Sequence, residues 1–172
     1  MKTSIVLTII ADDQPGIIEL VSETLSHHGG NWTQSSMSSL AGQFAGILLA
    51  YVPIENTDAC LAGLSELESR GLRITAHIGQ AVVAKGKTCG HVLNLVGNDH
   101  PGIVHDITRV LAKHGVSVIK FETAVEAASM GGGELFKARV QLLIPQSSDT
   151  FELESDLEAI ANDLMVEISF EK

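Results

Sequence analysis

Apolar positions recur along the chain with strand and helix periods in a fixed order, and the order then repeats. Ser4 to Ala11 is a short run rich in Ile and Val, which predicts a buried strand. Ile17, Val21 and Leu25, with Ile18 beside them, follow at helical spacing. Asn31 to Leu40 is polar and rich in Ser and Thr, with Trp32 near its start; it predicts a half-exposed strand. After an Ala41-Gly42 turn, Gln43 to Val52 returns as a more apolar strand, stopped by Pro53. Leu61, Leu64 and Leu67 mark one edge of a second helix, with Thr57 or Asp58 as its cap and Gly71 at its end. Leu72 to Ile78 is the last strand of the series.

The second series begins with a strand over His91 to Gly97 and a helix over Pro101 to His114, whose stripe is Ile103, Ile107, Val110 and Leu111. Strands over Val116 to Glu126 and Leu135 to Ile144 follow. A helix from Asp149 or Thr150 carries Leu153, Leu157 and Ile160, and Leu164 to Phe170 closes the sheet. Pro15 and Pro101, Gly16 and Gly102, and His28 and His114 are each 86 residues apart, the mark of an internal duplication. Pro53 and Pro145 are 92 apart, so the second copy has six extra residues between its inner strands. The small, Gly-rich stretch from Ala127 to Gly133 is where they fall, and a long mobile loop is expected there.

The order β-α-β-β-α-β, taken twice, predicts an α+β protein of two ferredoxin-like domains, antiparallel sheets with helices on one face. The boundaries are residues 1–80 and 91–172, with 81–90 as a short ordered connector. In that stretch Ala81 to Ala84 reads as an extra strand or an extension of the last one, and Lys85-Gly86-Lys87 as a turn. Leu7, Ile9, Leu93 and Leu95 share one strand parity, while Thr8 and Asn94 take the other. The face opposite the helices is thus free to pack on another sheet or to meet water.

Composition narrows the function classes. The net charge is −10, and both halves share it: residues 1–86 carry 4 basic against 8 acidic side chains, residues 87–172 carry 7 against 13. No basic stripe is present and aromatics are 4%, so direct nucleic-acid binding is disfavoured. Two isolated cysteines, Cys60 and Cys89, point to a reducing compartment. No signal peptide precedes the first strand, and no apolar stretch is long enough to span a bilayer, so the cytoplasm is the expected location. No catalytic constellation stands out, and no cofactor is expected.

The strongest site candidates are the two loops that open the first helix of each copy. The first is Asp12, Asp13, Gln14, Pro15, Gly16, Ile17 and Ile18; the second is Asn98, Asp99, His100, Pro101, Gly102, Ile103 and Val104. Gly16 permits close approach to the backbone, and free N–H groups at a helix start can hold a carboxylate. Asp12 or Asp13 can take an ammonium and Asn31 can bridge, with Ser117 at the matching place in the second copy. The same Asp13 is also placed to cap the helix, with Pro15 in its first turn. His28 and His114 have a structural explanation at helix C-termini, where a cation meets the dipole. Seven histidines do not make a metal site: His100 and His105 are off an i, i+4 pair, and Cys89 and His91 are two ligands where zinc needs three or four. The Gly131 to Gly133 run lacks the Lys-Ser/Thr ending of a phosphate loop.

The D-x-P-G-I loop, the His-Gly at the helix end and the doubled β-α-β-β-α-β order resemble tandem ACT domains, regulatory modules that commonly sense amino acids. A narrower resemblance rests on His28-Gly29-Gly30-Asn31-Trp32, Ser36-Met37-Ser38 and Leu40-Ala41-Gly42-Gln43-Phe44-Ala45-Gly46. These are similar to the glycine cleavage system transcriptional repressor family, stand-alone pairs of ACT domains. The resemblance implies a protein that restrains a separate DNA-binding activator, with glycine the leading small-amino-acid signal. It leaves open an amino-acid-binding sensor or carrier with no transcriptional role, and which copy binds. Unpaired sheet edges and an uncovered face predict a homodimer.

Overall fold

The computed structural model describes residues 1–79, 88–128 and 133–171, and side chains at all of these except Thr88 and Cys89. The readings for Ala81 to Lys87 and for Gly131 and Gly132 lie outside them. The chain divides into two compact units, Met1–Val83 and Ala84–Lys172. Each is an α+β unit with one four-stranded antiparallel sheet.

The first unit runs β1 (Lys2–Asp12), α1 (Ile17–His27), β2 (Asn31–Leu40), β3 (Gln43–Pro53), α2 (Thr57–Glu66) and β4 (Arg73–Gly79). Its sheet order is β2-β3-β1-β4. The period-two pattern of β1 decides its faces: Ile5, Leu7, Ile9 and Ala11 are buried, while Thr8 and Ile10 are exposed. The inward set packs under Ile17, Val21 and Leu25 of α1 and Cys60 and Leu64 of α2. Burial raises the pKa of the Cys60 thiol, which leaves it a small apolar core group.

The second unit repeats the plan as β5 (Thr88–Asn98), α3 (Ile103–Lys113), β6 (Ser117–Ala127), β7 (Glu134–Pro145), α4 (Thr150–Leu164) and β8 (Val166–Glu171), in sheet order β6-β7-β5-β8. Leu93 and Leu95 face Ile103, Ile107 and Leu111 of α3 and Leu153 and Leu157 of α4.

Of the three helix caps expected from the sequence, two differ in the structure. Asp149 does cap α4, its carboxylate accepting from the N–H groups of Phe151 and Glu152 at 2.9 and 3.2 Å. Neither Thr57 nor Asp58 caps α2. Asn56 holds the N-cap position without a side-chain bond, and the Thr57 hydroxyl donates to Pro53 O at 3.2 Å. Its buried edge is Cys60, Leu64 and Leu67, with Leu61 only partly buried. A 3-10 turn over Ile54–Asn56 precedes α2. At α1 and α3 the N-cap is a glycine, with consequences for the site.

Candidate ligand site

Asp13 does not cap α1. Gly16 is the N-cap residue, at φ 93° and ψ −4°, and no side chain accepts from the first amides of the helix. The first helical bond runs from Leu20 N–H to Gly16 O, at 3.0 Å. Pro15 therefore lies in the turn before the helix rather than in its first turn. Left-handed backbone at Gly16 carries the preceding residues off the helix axis, and this takes Asp13 out of capping reach.

Asp13 has been recruited by the neighbouring hairpin instead. Ala41 and Gly42, at φ 50° and 78°, make the tight turn between β2 and β3. Asp13 N–H donates to Gly42 O at 2.9 Å, and Ser39 Oγ donates to the Asp13 carboxylate at 2.5 Å. Asp12, at the end of β1, accepts from Gln43 Nε2 at 2.7 Å. The two aspartates fix the loop to the hairpin and leave the helix start bare.

A concave space of about 380 Å³ lies over that start. Asp13, Gln14, Pro15, Gly16, Ile17 and Ile18 line it, joined by Glu19 and Phe44. Phe44 and Ser39 were not foreseen, because their place depends on the hairpin register that sets Gln43 opposite Asp12. A Cβ built on Gly16 would meet nothing within 4 Å, so the approach to the amides is open. Asp12 does not line the space.

Asn31 does not join the loop within its own unit. It pairs with Tyr51, which pairs with Ser4, whereas the loop leaves the sheet at the Asp12–Gln43 pair. Eight residues of strand separate the two ends, roughly 26 Å at the usual rise. Ser117 is likewise at the far end of the second sheet, opposite Leu143, while Asn98 pairs with Leu135.

The second loop has the same backbone and different surroundings. Gly102 is the N-cap of α3 at φ 104° and ψ −17°, again with no side-chain cap. Asp99 N–H donates to Glu134 O at 2.8 Å. His100 stands where Gln14 does, and its ring lies between two carbonyls: Nδ1 is 3.1 Å from Pro101 O and Nε2 is 3.2 Å from Leu164 O. The ring thus ties this loop to the last residue of α4. A Cβ on Gly102 would be 3.7 Å from Asp106 Oδ2, so this copy brings its own carboxylate to the helix start. Asn98, Pro101, Ile103 and Val104 complete the second loop, and Ile103 is buried in the core.

Among the described residues no group of three or more His, Cys, Asp and Glu side chains could hold a metal ion, and no helix is long and apolar enough to cross a membrane.

A doubled βαββαβ fold with a glycine turn at the first helix of each copy defines a tandem-module protein, not a single elaborated domain. The ACT domain model matches residues 3–78 and 91–171, so the chain belongs to the ACT domain family; it is an ACT-domain regulatory protein. Solved structures that match over nearly the whole length include two with high fold similarity. An unknown protein from Galdieria sulphuraria is 26% identical, with a TM-score of 0.88 over 99% of this chain and 98% of that one. A protein provisionally named a glycine cleavage system transcriptional repressor is 16% identical, with a TM-score of 0.69 over 99% of this chain and 97% of that one. At that identity the second likeness is one of fold. No curated protein sequence matches the chain.

Proposed function

We propose that this protein is an amino-acid-responsive regulator in which the helix start of the first copy receives the ligand carboxylate. The observation that carries this reading is the open space over Gly16, where the amides of Ile17 and Ile18 head an uncapped helix. Such amides and the helix dipole together favour a carboxylate. Asp13 lines the same space, and its carboxylate keeps acceptor capacity beyond the Ser39 bond for a ligand ammonium. Glycine is the leading candidate, on the motif resemblance from His28 to Gly46 and the fold shared with the repressor-named structure.

The regulator acts through a protein partner, a DNA-binding activator, rather than on DNA or by catalysis. A net charge of −10 opposes the phosphate backbone, which supports indirect action. Purified protein alone is expected to give no sequence-specific gel shift at about 0.15 M salt, where weak surface attraction is screened. The working assembly is a homodimer, which sedimentation of the 18.2 kDa chain tests directly.

The deciding experiment is a thermal-shift screen of the amino acids, since a ligand that binds only the native state raises its melting temperature. Glycine should raise it in the wild type and in Gly102→Val, and fail to do so in Gly16→Val that folds without ligand. If both valine variants fold and keep the full shift, the loops are structural turns and the ligand binds elsewhere.

A further inference from the structure

The two copies also differ at the other end of their first helices. His28 ends α1 and His114 ends α3, each as the C-cap residue. Both backbone carbonyls are held by the following helix-entry segment, His28 O by Asn56 Nδ2 at 3.0 Å and His114 O by Ser148 Oγ at 3.2 Å. The imidazoles are treated differently. In the second copy His114 Nε2 lies 2.8 Å from Asp156 Oδ2, and Lys113 Nζ lies 2.7 Å from the same oxygen.

Asn56 and Asp149, the N-cap residues of α2 and α4, are 93 positions apart, and so are Gly63 and Asp156. The buried pairs Cys60 with Leu153 and Leu64 with Leu157 keep the same spacing. Gly63 is therefore the first copy's counterpart of Asp156. A Cβ built on Gly63 would sit 3.2 Å from His28 Nε2, so the imidazole points at the place from which a side chain is missing. His27 takes the place of Lys113, with its ring 5.2 Å from that of His28. A cleft of about 390 Å³ opens there between α1 and α2, lined by His27, His28, Gly63 and Arg70 and equally by Glu23 and Glu66.

We infer that this cleft is a second binding site, separate from the Gly16 loop, for a small carboxylate that takes the position the second copy fills with Asp156. In the second copy one carboxylate oxygen serves an imidazole and an ammonium at once. In the first, His28 offers the imidazole, and His27 and Arg70 supply donors beside it. The carboxylates of Glu23 and Glu66 line the same cleft and oppose negative charge on the ligand, so polyanions do not fit and a carboxylate balanced by its own ammonium fits better than a simple anion. The ammonium of such a ligand can meet those two glutamates. A glycine inside a helix is disfavoured by backbone entropy, and here it keeps the cleft open.

The site is tested with the full chain, independently of the Gly16 loop, by following its assigned imidazole ¹⁵N signals during separate titrations with acetate, glycine and methylammonium. Saturable movement of the His28 and His27 signals is expected with acetate or with glycine, and a larger one with glycine than with methylammonium. Gly63→Asp should supply the missing carboxylate internally and abolish the response, while any glycine response of the Ile17 and Ile18 amides persists. Absence of a saturable His28 response to both carboxylates overturns the assignment, as does a methylammonium response as large as that to glycine or an undiminished response in Gly63→Asp. Should that variant not fold, His28→Gln decides in its place. Loss of the His27 response supports the site, and an unchanged one overturns it.

Discussion

The second copy fills with its own carboxylates two places that the first leaves open. At the helix start, Asp106 Oδ2 lies 3.7 Å from a Cβ built on Gly102, whereas a Cβ on Gly16 meets nothing within 4 Å and Asp13 and Glu19 only line the space around it. At the helix end, Asp156 meets His114, whereas Gly63 faces His28. The backbones at both glycine N-caps are nearly the same, so the difference lies in side chains. His100 adds to it by tying the second loop to the end of α4. Duplication thus yields two copies of one backbone that differ in whether a carboxylate of the chain stands at these two places. An unfilled acceptor or donor set retained on a well-packed frame is where ligand binding belongs.

The largest expected effect separates the sheets. Gly97 is the counterpart of Ala11, yet a Cβ on Gly97 would lie 2.4 Å from Val166 Cγ1 and 2.8 Å from Val166 Cα. Gly97→Ala should cost about 1–3 kcal/mol through overpacking. Denaturant unfolding measures it, and a neutral result would show that β8 can move aside.

Next come the glycine N-caps. Gly16→Ala and Gly102→Ala should each cost about 1–2 kcal/mol, the penalty of left-handed backbone for a residue with a Cβ. Space is open at Gly16, so the cost there is one of backbone alone. Equal losses by urea titration would confirm that the loops share a conformation. A loss confined to one would break the equivalence.

The smallest effect is electrostatic. Hydrogen bonds from Lys113 and then His114 hold the Asp156 carboxyl below its ordinary pKa, and the Asp156 bond raises that of Lys113. Asp156 therefore contributes stability above the ordinary carboxylate range, lost as pH falls through its depressed folded-state value. Lys113 contributes below its ordinary range, lost as pH rises through its raised folded-state value. Asp156→Asn should cost a little near neutrality and converge on the wild type at low pH. The exposed setting keeps the effect small and salt-sensitive. Melting curves across pH at two salt concentrations provide the check.

What could be read from the residues divides by range. The alternation in β1 and the stripe of α3 report burial directly, and both sheets follow them. Asp149 was legible as a cap because its bonds reach only two and three residues along. Asp13 was misread because its partner is Ser39, 26 positions away across a hairpin, and because Gly16 adopts a conformation open to few other residues. Asn31 follows closely on the helix that the loop opens, and only the β2–β3 register places it at the far end of the sheet. The carboxylate at His114 was invisible for the same reason: it comes from another helix, 42 residues on.

The central claim is that the first copy's bare helix start binds an amino-acid carboxylate and the second's does not. An amide ¹H–¹⁵N titration of the full chain with glycine tests it most directly. The account predicts saturable shifts at Ile17, Ile18 and Glu19 and none at Ile103, Val104 and His105. Shifts confined to the second set, or no saturable shift in either, would contradict it.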